Sequence, residues 1–318
     1  MRTHELGKSG LALTRVGLGT WAIGGAGWQF GWGSQDDRDS ISTIHEALDL
    51  GINWIDTAAV YGLGHSEEIV GQAVAGRRDK VIIATKCGRP TDPGSTTILS
   101  RLKAASVRKE LEASLRRLKT DHIDLYQIHW PDPDADIEEG WGEIGKAVKE
   151  GKVRYAGVSN FTPEQMRRLQ QIHPIASLQP PYSMLRRDVE KELLPFCAAN
   201  GIGVICYSPM QMGLLTGAFT RERAAALPTD DVRSRNALFT EPALSRSLAL
   251  VEELRPIAKR NSKNLAELAV AWVLRRPEVT AAIVGGRKPG QIADIAGAAD
   301  WDLSAEDIRE VGTLLARP

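Results

Sequence analysis

Gly17-Leu18-Gly19-Thr20-Trp21-Ala22 ends the first apolar run of the chain, and its reading separates two architectures that otherwise share their patterning. An open doubly wound sheet carries a full G-x-G-x-x-G loop after its first strand and turns there directly into a helix. This stretch falls short of that pattern, with Ala22 at the last glycine, and runs on into a long Gly/Trp-rich loop. Outward from it one unit repeats: a short β-branched apolar run, then a stretch of helical period. The runs are Arg15–Gly19, Trp54–Ala58, Lys80–Lys86, Asp124–Trp130, Tyr155–Asn160, Ala176–Tyr182, Gly203–Pro209 and Val279–Gly286. Most are apolar on both faces, as the strands of a covered parallel sheet must be. Eight such strands alternating with helices over roughly 250 residues predict a (β/α)8 TIM barrel.

The intervening segments read as amphipathic helices. Ser34 with Asp37 three residues later is a start signal, Ile41, Ile44 and Leu48 follow at helical spacing, and Gly51 is the stop. Val107, Leu111, Leu115 and Leu118 make a second stripe; Ile137, Trp141, Ile144 and Val148 make a third. Thr162-Pro163 and Lys288-Pro289 place prolines in expected first turns. His4–Leu13, centred on Gly7-Lys8-Ser9-Gly10, reads as an N-terminal β-hairpin that could plug the barrel. Met210 to about Leu244 is too long for an ordinary connection, and long loops at this end of a barrel shape binding sites. Ser304–Leu315 predicts an additional helix. No linker divides the chain, so residues 1–318 are expected to form a single domain.

Forty basic residues balance forty acidic ones. That argues against nucleic acid or an anionic membrane surface as a partner, since both select a basic excess. Cys87, Cys197 and Cys206 are an odd number with no CxxC pair, which points to a reducing, cytoplasmic setting. No apolar stretch is long enough for a signal peptide or a membrane span. His4, His45, His65, His122, His129 and His173 show no HxH or HExxH grouping, so no metal is expected.

Active sites of such barrels lie at the C-terminal ends of the strands. There the chain places Asp56 near the end of the second strand, Tyr61 in the loop after it, Lys86 at the end of the third and His129 at the end of the fourth. Taken singly, Asp56 could cap a turn, Tyr61 could pack on the surface, Lys86 could reach solvent and His129 could be a core histidine. Together they suit proton delivery. A free tyrosine titrates near ~10, too high for an ideal acid at neutral pH, and a lysine ammonium beside it favours the phenolate. A buried lysine needs an aspartate to stay charged, and the histidine can orient a carbonyl oxygen. A Schiff-base role for Lys86 is the competing enzymatic reading.

Gly51-Ile52-Asn53-Trp54-Ile55-Asp56-Thr57-Ala58-Ala59-Val60-Tyr61-Gly62 resembles the aldo-keto reductase signature GxxxxDTAxxYG. Ala84-Thr85-Lys86, Asp124-Leu125-Tyr126-Gln127-Ile128-His129-Trp130, the run Gly151 to Phe161 and Gln179-Pro180-Pro181-Tyr182 agree in order. Trp130-Pro131-Asp132 and the Gln-Pro-Pro-Tyr run are most similar to bacterial members of the general-stress-protein subgroup. The resemblance implies NADPH-dependent reduction of an aldehyde or ketone, with Tyr61 as general acid, Lys86 and Asp56 tuning it, and His129 positioning the carbonyl. It also implies cofactor contacts. Ser159, Asn160 and Gln179 would hold the carboxamide and Tyr207 would stack on the nicotinamide, with Thr20 and Trp21 nearby. Ser208, Pro209, Met210, Gly213, Leu215 and Gly217 would cover the pyrophosphate. Gly285, Gly286, Arg287, Lys288, Gln291 and Asp294 would take the adenosine phosphate end.

Pro289 opening a helix beside Arg287 and Lys288 would suit a 2′-phosphate, hence NADPH over NADH, with NADH left open. Val284 where Pro is usual and Ile295 where Asn is common depart from the family pattern. Trp21, Trp28, Phe30, Trp32 and Trp130 suggest an apolar substrate pocket or the packing of the mouth loops. The partner expected is a small carbonyl substrate, and the chain a monomer or small homo-oligomer. The family also contains potassium-channel β-subunits that act mainly as binding partners; the intact four-residue cluster gives no sign of such a change of role.

Overall fold

All eight predicted strands form, and they close on themselves. The computed structural model describes residues 1–317. After a hairpin, β1 (Thr3–Glu5) and β2 (Ala12–Thr14), come β3 (Val16–Gly19), β4 (Trp54–Asp56), β5 (Ile82–Cys87), β6 (Ile123–Ile128), β7 (Val153–Ser159), β8 (Ser177–Gln179), β9 (Gly203–Cys206) and β10 (Val279–Gly285). The last eight pair in parallel as a closed barrel, with β10 returning to β3. Six of the eight end earlier than expected, because the chain leaves the sheet there to build the rim, whereas β3 ends at Gly19 as expected and β5 runs one residue past Lys86.

The helices are α1 (Asp37–Asp49), α2 (His65–Ala73), α3 (Ala104–Leu118), α4 (Ile137–Lys149), α5 (Pro163–Gln170), α6 (Leu193–Asn200), α7 (Arg221–Ala225), α8 (Ala243–Arg260), α9 (Leu265–Leu274), α10 (Ala293–Ala296) and α11 (Ala305–Leu315). The stripe of α3 is buried as its spacing requires, with Val107, Leu111, Leu115 and Leu118 all in the main core. Capping boxes at Thr162/Gln165 and Asn264/Glu267 fix the starts of α5 and α9, each cap contributing about 1 kcal/mol.

Two expected helix starts differ. α1 is capped by Asp36 rather than Ser34, since the Asp36 carboxylate accepts from the amides of Arg38 and Asp39. Pro289 opens no helix: α10 begins at Ala293 and is four residues long. The cause is local. Gln291 Oε1 accepts from the amides of Arg287 and Lys288 at 2.8 and 3.2 Å, which folds residues 287–291 into a closed turn.

The hairpin seats Leu6, Leu11 and Leu13 against Trp54, Ala84, Leu125, Ile205 and Ala281, sealing the N-terminal end of the barrel. Each buried leucine contributes roughly 1.5–3 kcal/mol. Trp54 explains Gly17: a Cβ at Gly17 would stand 2.0 Å from the indole, and Trp54 Nε1 donates to Thr14 O at 2.9 Å. At Gly19 a Cβ would meet Ile283 at 2.5 Å. The two glycines of the opening stretch therefore serve interior packing. At the opposite end, the 210–244 segment docks on the loop after β3, where Val232 N donates to Gly31 O at 3.0 Å and Arg233 lies 4.6 Å from the Trp32 ring. Among the described residues no helix is long and apolar enough to cross a membrane.

Candidate active site

The C-terminal rim gathers the four ionisable residues from three adjacent strands. Asp56 ends β4, Lys86 is next to last in β5, His129 follows β6, and Tyr61 enters from the turn after β4. Gly62 and Leu63 take left-handed φ of 59° and 56° in that turn. Gly24 packs so closely on Gly62 that a Cβ there would stand 2.3 Å from the Gly24 carbonyl oxygen. So placed, Tyr61 Oη lies 3.4 Å from Lys86 Nζ. Lys86 Nζ also donates to Asp56 Oδ2 at 2.7 Å and to Thr57 O at 2.9 Å. Its side chain is 0% exposed and that of Asp56 4%, so this ion pair has no water to compete with it. The Tyr61 ring meets His129 edge-on at 5.9 Å and Trp28 at 6.1 Å.

The electrostatics correct one expectation. The Tyr61 phenol is pushed well above the usual tyrosine range, first by burial and then by the Asp56 charge. The expected lowering by Lys86 does not appear: the ammonium is bonded to Asp56 at 2.7 Å, and the Asp56 charge adds to the rise that burial causes. Burial lowers Lys86 itself, and Asp56 opposes that shift. The His129 imidazole is held well below its usual value by burial, then by the charges of Lys86 and Arg89. The site at neutral pH thus holds a protonated phenol and a neutral imidazole.

Ser159, Asn160, Gln179 and Tyr207 form one network joined to the ionisable cluster. Gln179 Nε2 donates to Asp56 Oδ1 at 2.7 Å, and Ser159 Oγ to Gln179 O at 2.8 Å. Asn160, at φ 65°, donates through Nδ2 to His129 O at 3.1 Å and accepts from Tyr207 Oη at 2.9 Å. Burial raises the Tyr207 phenol to about 12. Ser208, Gln211, Met212 and Gly213 all have left-handed φ (56°, 47°, 52° and 93°), and within this tight turn the Gln211 amide donates to Ser208 O at 3.0 Å and the Gly213 amide to Met210 O at 3.1 Å. Pro209 and Met210 are buried within that turn. Gly285 leaves bare backbone at the end of β10, where a Cβ would meet only Gly19 O at 3.7 Å. A side-chain amide network beside Asp56, a left-handed turn and the bare backbone at Gly285 together fit an extended dinucleotide.

The other predicted contacts are each fixed by their protein neighbours. Thr20 Oγ1 donates to Asp56 O at 3.1 Å and accepts from Ser66 Oγ at 2.8 Å, so its hydroxyl is turned inward. Trp21 Nε1 donates to Phe30 O, and its ring packs on Trp32. Leu215 is buried in the main core, and Gly217 lies against Leu265 and Arg255. Gly286 is covered by Ile292 and Thr43; Asp294 is exposed.

Sequence reasoning missed the residues behind Lys86. Glu67, fully buried, accepts from Thr85 Oγ1 at 2.5 Å and from Arg117 Nε at 2.7 Å, and its charge favours the Lys86 ammonium. In sequence Glu67-Glu68 reads as an ordinary acidic first turn of a helix. It missed Arg89 as well, which lies 6.0 Å from the Trp130 ring beside His129. Glu46, on α1, reaches the rim too: both its carboxylate oxygens accept from the Gly290 amide at 2.9 Å.

Comparison with known proteins agrees with this geometry. A family model described as Aldo/keto reductase family matches residues 15–316. Aldo-keto reductase YhdN of Bacillus subtilis is 41% identical over 99% of this chain and 94% of its own length. The NADH-specific methylglyoxal reductase of Escherichia coli is 35% identical over the full length of both. A glycerol dehydrogenase structure from Gluconobacter oxydans superposes with a TM-score of 0.89 at 42% identity, covering 99% of this chain and 95% of that one. A holo aldo-keto reductase from Bacillus halodurans follows at 0.81 and 28%, covering 99% and 96%. With the barrel, the rim cluster and these matches in agreement, the chain belongs to the aldo/keto reductase family and is an oxidoreductase of the NAD(P)H-dependent carbonyl-reducing kind.

Proposed function

We propose that this chain reduces small aldehydes or ketones to alcohols, with Tyr61 delivering the proton. The observation that carries the reading is the 3.4 Å contact between Tyr61 Oη and a Lys86 Nζ that is itself locked to Asp56. Ser159, Asn160, Gln179 and Tyr207 would hold a reduced nicotinamide dinucleotide, which would supply the hydride when bound. Tyr61 passes its hydroxyl proton to the carbonyl oxygen. The raised phenol pKa keeps that proton in place until an acceptor arrives, and the phenolate left behind is met by Lys86 Nζ. His129, neutral, donates an N–H to the same oxygen and directs it toward Tyr61. Lys86 is unsuited to Schiff-base chemistry, because its amine is fully buried and already bonded to Asp56, Thr57 and Tyr61.

Trp28, beside Tyr61, and the exposed Phe30 and Trp130 (41% and 42% exposed) form an apolar approach to the acid. That supports compact aliphatic or aromatic carbonyls, and relatives named for methylglyoxal and glycerol point to the same size range. The buried, unpaired thiols of Cys87, Cys197 and Cys206 are consistent with a reducing compartment. Tyr61→Phe is the test. It should lower kcat about 10²–10⁴-fold, the range of general acid catalysis, while dinucleotide affinity stays within about threefold, because the hydroxyl is not among the groups assigned to hold it. Turnover retained in that variant refutes the assignment.

A further inference from the structure

We propose that Glu46 is a specificity-determining residue that turns the strand-β10 exit against a 2′-phosphate and toward a free ribose 2′-hydroxyl. The inference rests on the reading of the rim as a dinucleotide site. Residues 287–290 present backbone amides and the Arg287 guanidinium on one side of a tight turn, which is the donor set of an anion cradle. The chain fills that cradle itself. Gln291 Oε1 takes the amides of Arg287 and Lys288, and the Glu46 carboxylate takes that of Gly290 with both oxygens at 2.9 Å. Gly290 is left-handed, at φ 89°, which turns its N–H toward α1.

Arg287 is equally committed. Its Nε donates to Gln35 Oε1 at 2.8 Å and its Nη2 to Ser34 O at 2.5 Å, while Gln35 Nε2 returns a bond to Arg287 O at 2.7 Å. It makes no ion pair among the described residues; its guanidinium is held in place by neutral acceptors from the loop ahead of α1. The cation that would meet a phosphate is therefore fixed, and the anion already in the cradle is Glu46.

The two dinucleotides differ here in sign as well as size. A 2′-phosphate is a dianion that accepts hydrogen bonds. To use the Gly290 amide it must displace the Glu46 carboxylate or share the exposed turn with it, and like charges at contact distance repel. A 2′-hydroxyl can donate, and a carboxylate on the first helix after the first strand is a ready acceptor. Arg287 and Lys288, read from the sequence as phosphate ligands, are thus offset by a carboxylate that arrives from 244 positions away in the chain.

The experiment is a titration of tryptophan fluorescence with NADH and with NADPH, on the wild-type chain and on Glu46→Gln. Glutamine keeps the length and can still accept from Gly290, so the turn is preserved while the charge is removed. Wild type should bind NADH at least as tightly as NADPH. Glu46→Gln should shift the NADPH-to-NADH affinity ratio at least tenfold toward NADPH, with the NADH Kd within threefold of wild type. A wild type that prefers NADPH by more than tenfold, or a ratio unmoved by the substitution, overturns the role of Glu46 while leaving the dinucleotide site intact. Failure of both dinucleotides to bind the wild type overturns the dinucleotide reading and this inference with it.

Discussion

Replacing Asp56 with Asn should destabilise the chain in a way that depends on pH in one direction only. The carboxylate stands 2.7 Å from Lys86 Nζ, and both side chains are almost wholly buried. At an effective dielectric of ~20, two unit charges at that distance attract by about 6 kcal/mol. Asparagine keeps the shape and can still accept from Gln179, but it turns a donor or a neutral oxygen toward the ammonium. Stripping one partner from a buried pair costs about 3–5 kcal/mol. With an unfolding entropy of ~2.1 cal/mol/K per residue, that lowers the Tm of a 318-residue chain by about 5–7 °C. Lys86 escapes the penalty by losing its proton. Its folded pKa is already below the free value because of burial, and the variant pushes it lower still. The unfolded lysine keeps its proton up to about 10.4. Between the folded value and that limit the unfolded state binds more protons, so stability rises with pH. Thermal unfolding followed by circular dichroism at pH 7 and pH 9.5 should show the deficit of Asp56→Asn shrinking at the higher pH. A Tm within 1 °C of wild type at pH 7, or a deficit that widens as pH rises, would refute the argument.

Arg117→Met should remove about 3–5 kcal/mol in urea denaturation, because it leaves the fully buried Glu67 carboxylate without its cation. The double variant Glu67→Gln/Arg117→Met should recover most of that loss, and a double variant no more stable than the single one contradicts the ion-pair account. Glu110 is raised to about 8 by burial, against amide donation from Gly88 and Arg89. Its folded pKa lies above the unfolded value of about 4.3, so its contribution is fully present below ~4.3 and is lost as pH rises to about 8. Glu110→Gln should therefore flatten the fall of Tm over that window, and parallel Tm–pH curves for wild type and variant would exclude the effect.

The barrel was legible because its strands are buried on both faces. Runs such as Val81-Ile82-Ile83-Ala84 cannot belong to an exposed sheet, and eight of them leave few topologies. What the sequence hid were the partners that override local signals. Ser34 loses the cap of α1 to Asp36, two residues on, because only Asp36 brings its oxygen to the amides of Arg38 and Asp39. Pro289 has the chemistry of a first helical turn, yet Gln291 and Glu46 satisfy the surrounding amides without a helix. A cap two residues away or a carboxylate 244 residues away leaves no mark on periodicity.

The same distinction runs through the site. Asp56, Lys86 and His129 could be found from their positions at strand ends, and Tyr61 from the loop that follows one of them, since the barrel itself brings strand ends together. Their electrostatics could not, because identity of neighbours does not say which charge is matched to which. Lys86 sits beside Tyr61, as expected, but its charge is met by Asp56, with Glu67 behind it, and the phenol rises where a lone ammonium would have lowered it. That outcome favours the role assigned to Tyr61. An acid must hold its proton at rest and release it into a waiting acceptor, and a phenol lowered toward neutrality would have been partly ionised before any carbonyl arrived. In the proposed reaction Lys86, at 3.4 Å, would stabilise the charge that develops on the phenolate without dissipating the proton beforehand. The glycines of Gly17-Leu18-Gly19 make the parallel point for the fold. Their spacing resembles the start of a phosphate loop, but Trp54 and Ile283 stand where their Cβ atoms would lie, so the motif's meaning is decided by what packs against it.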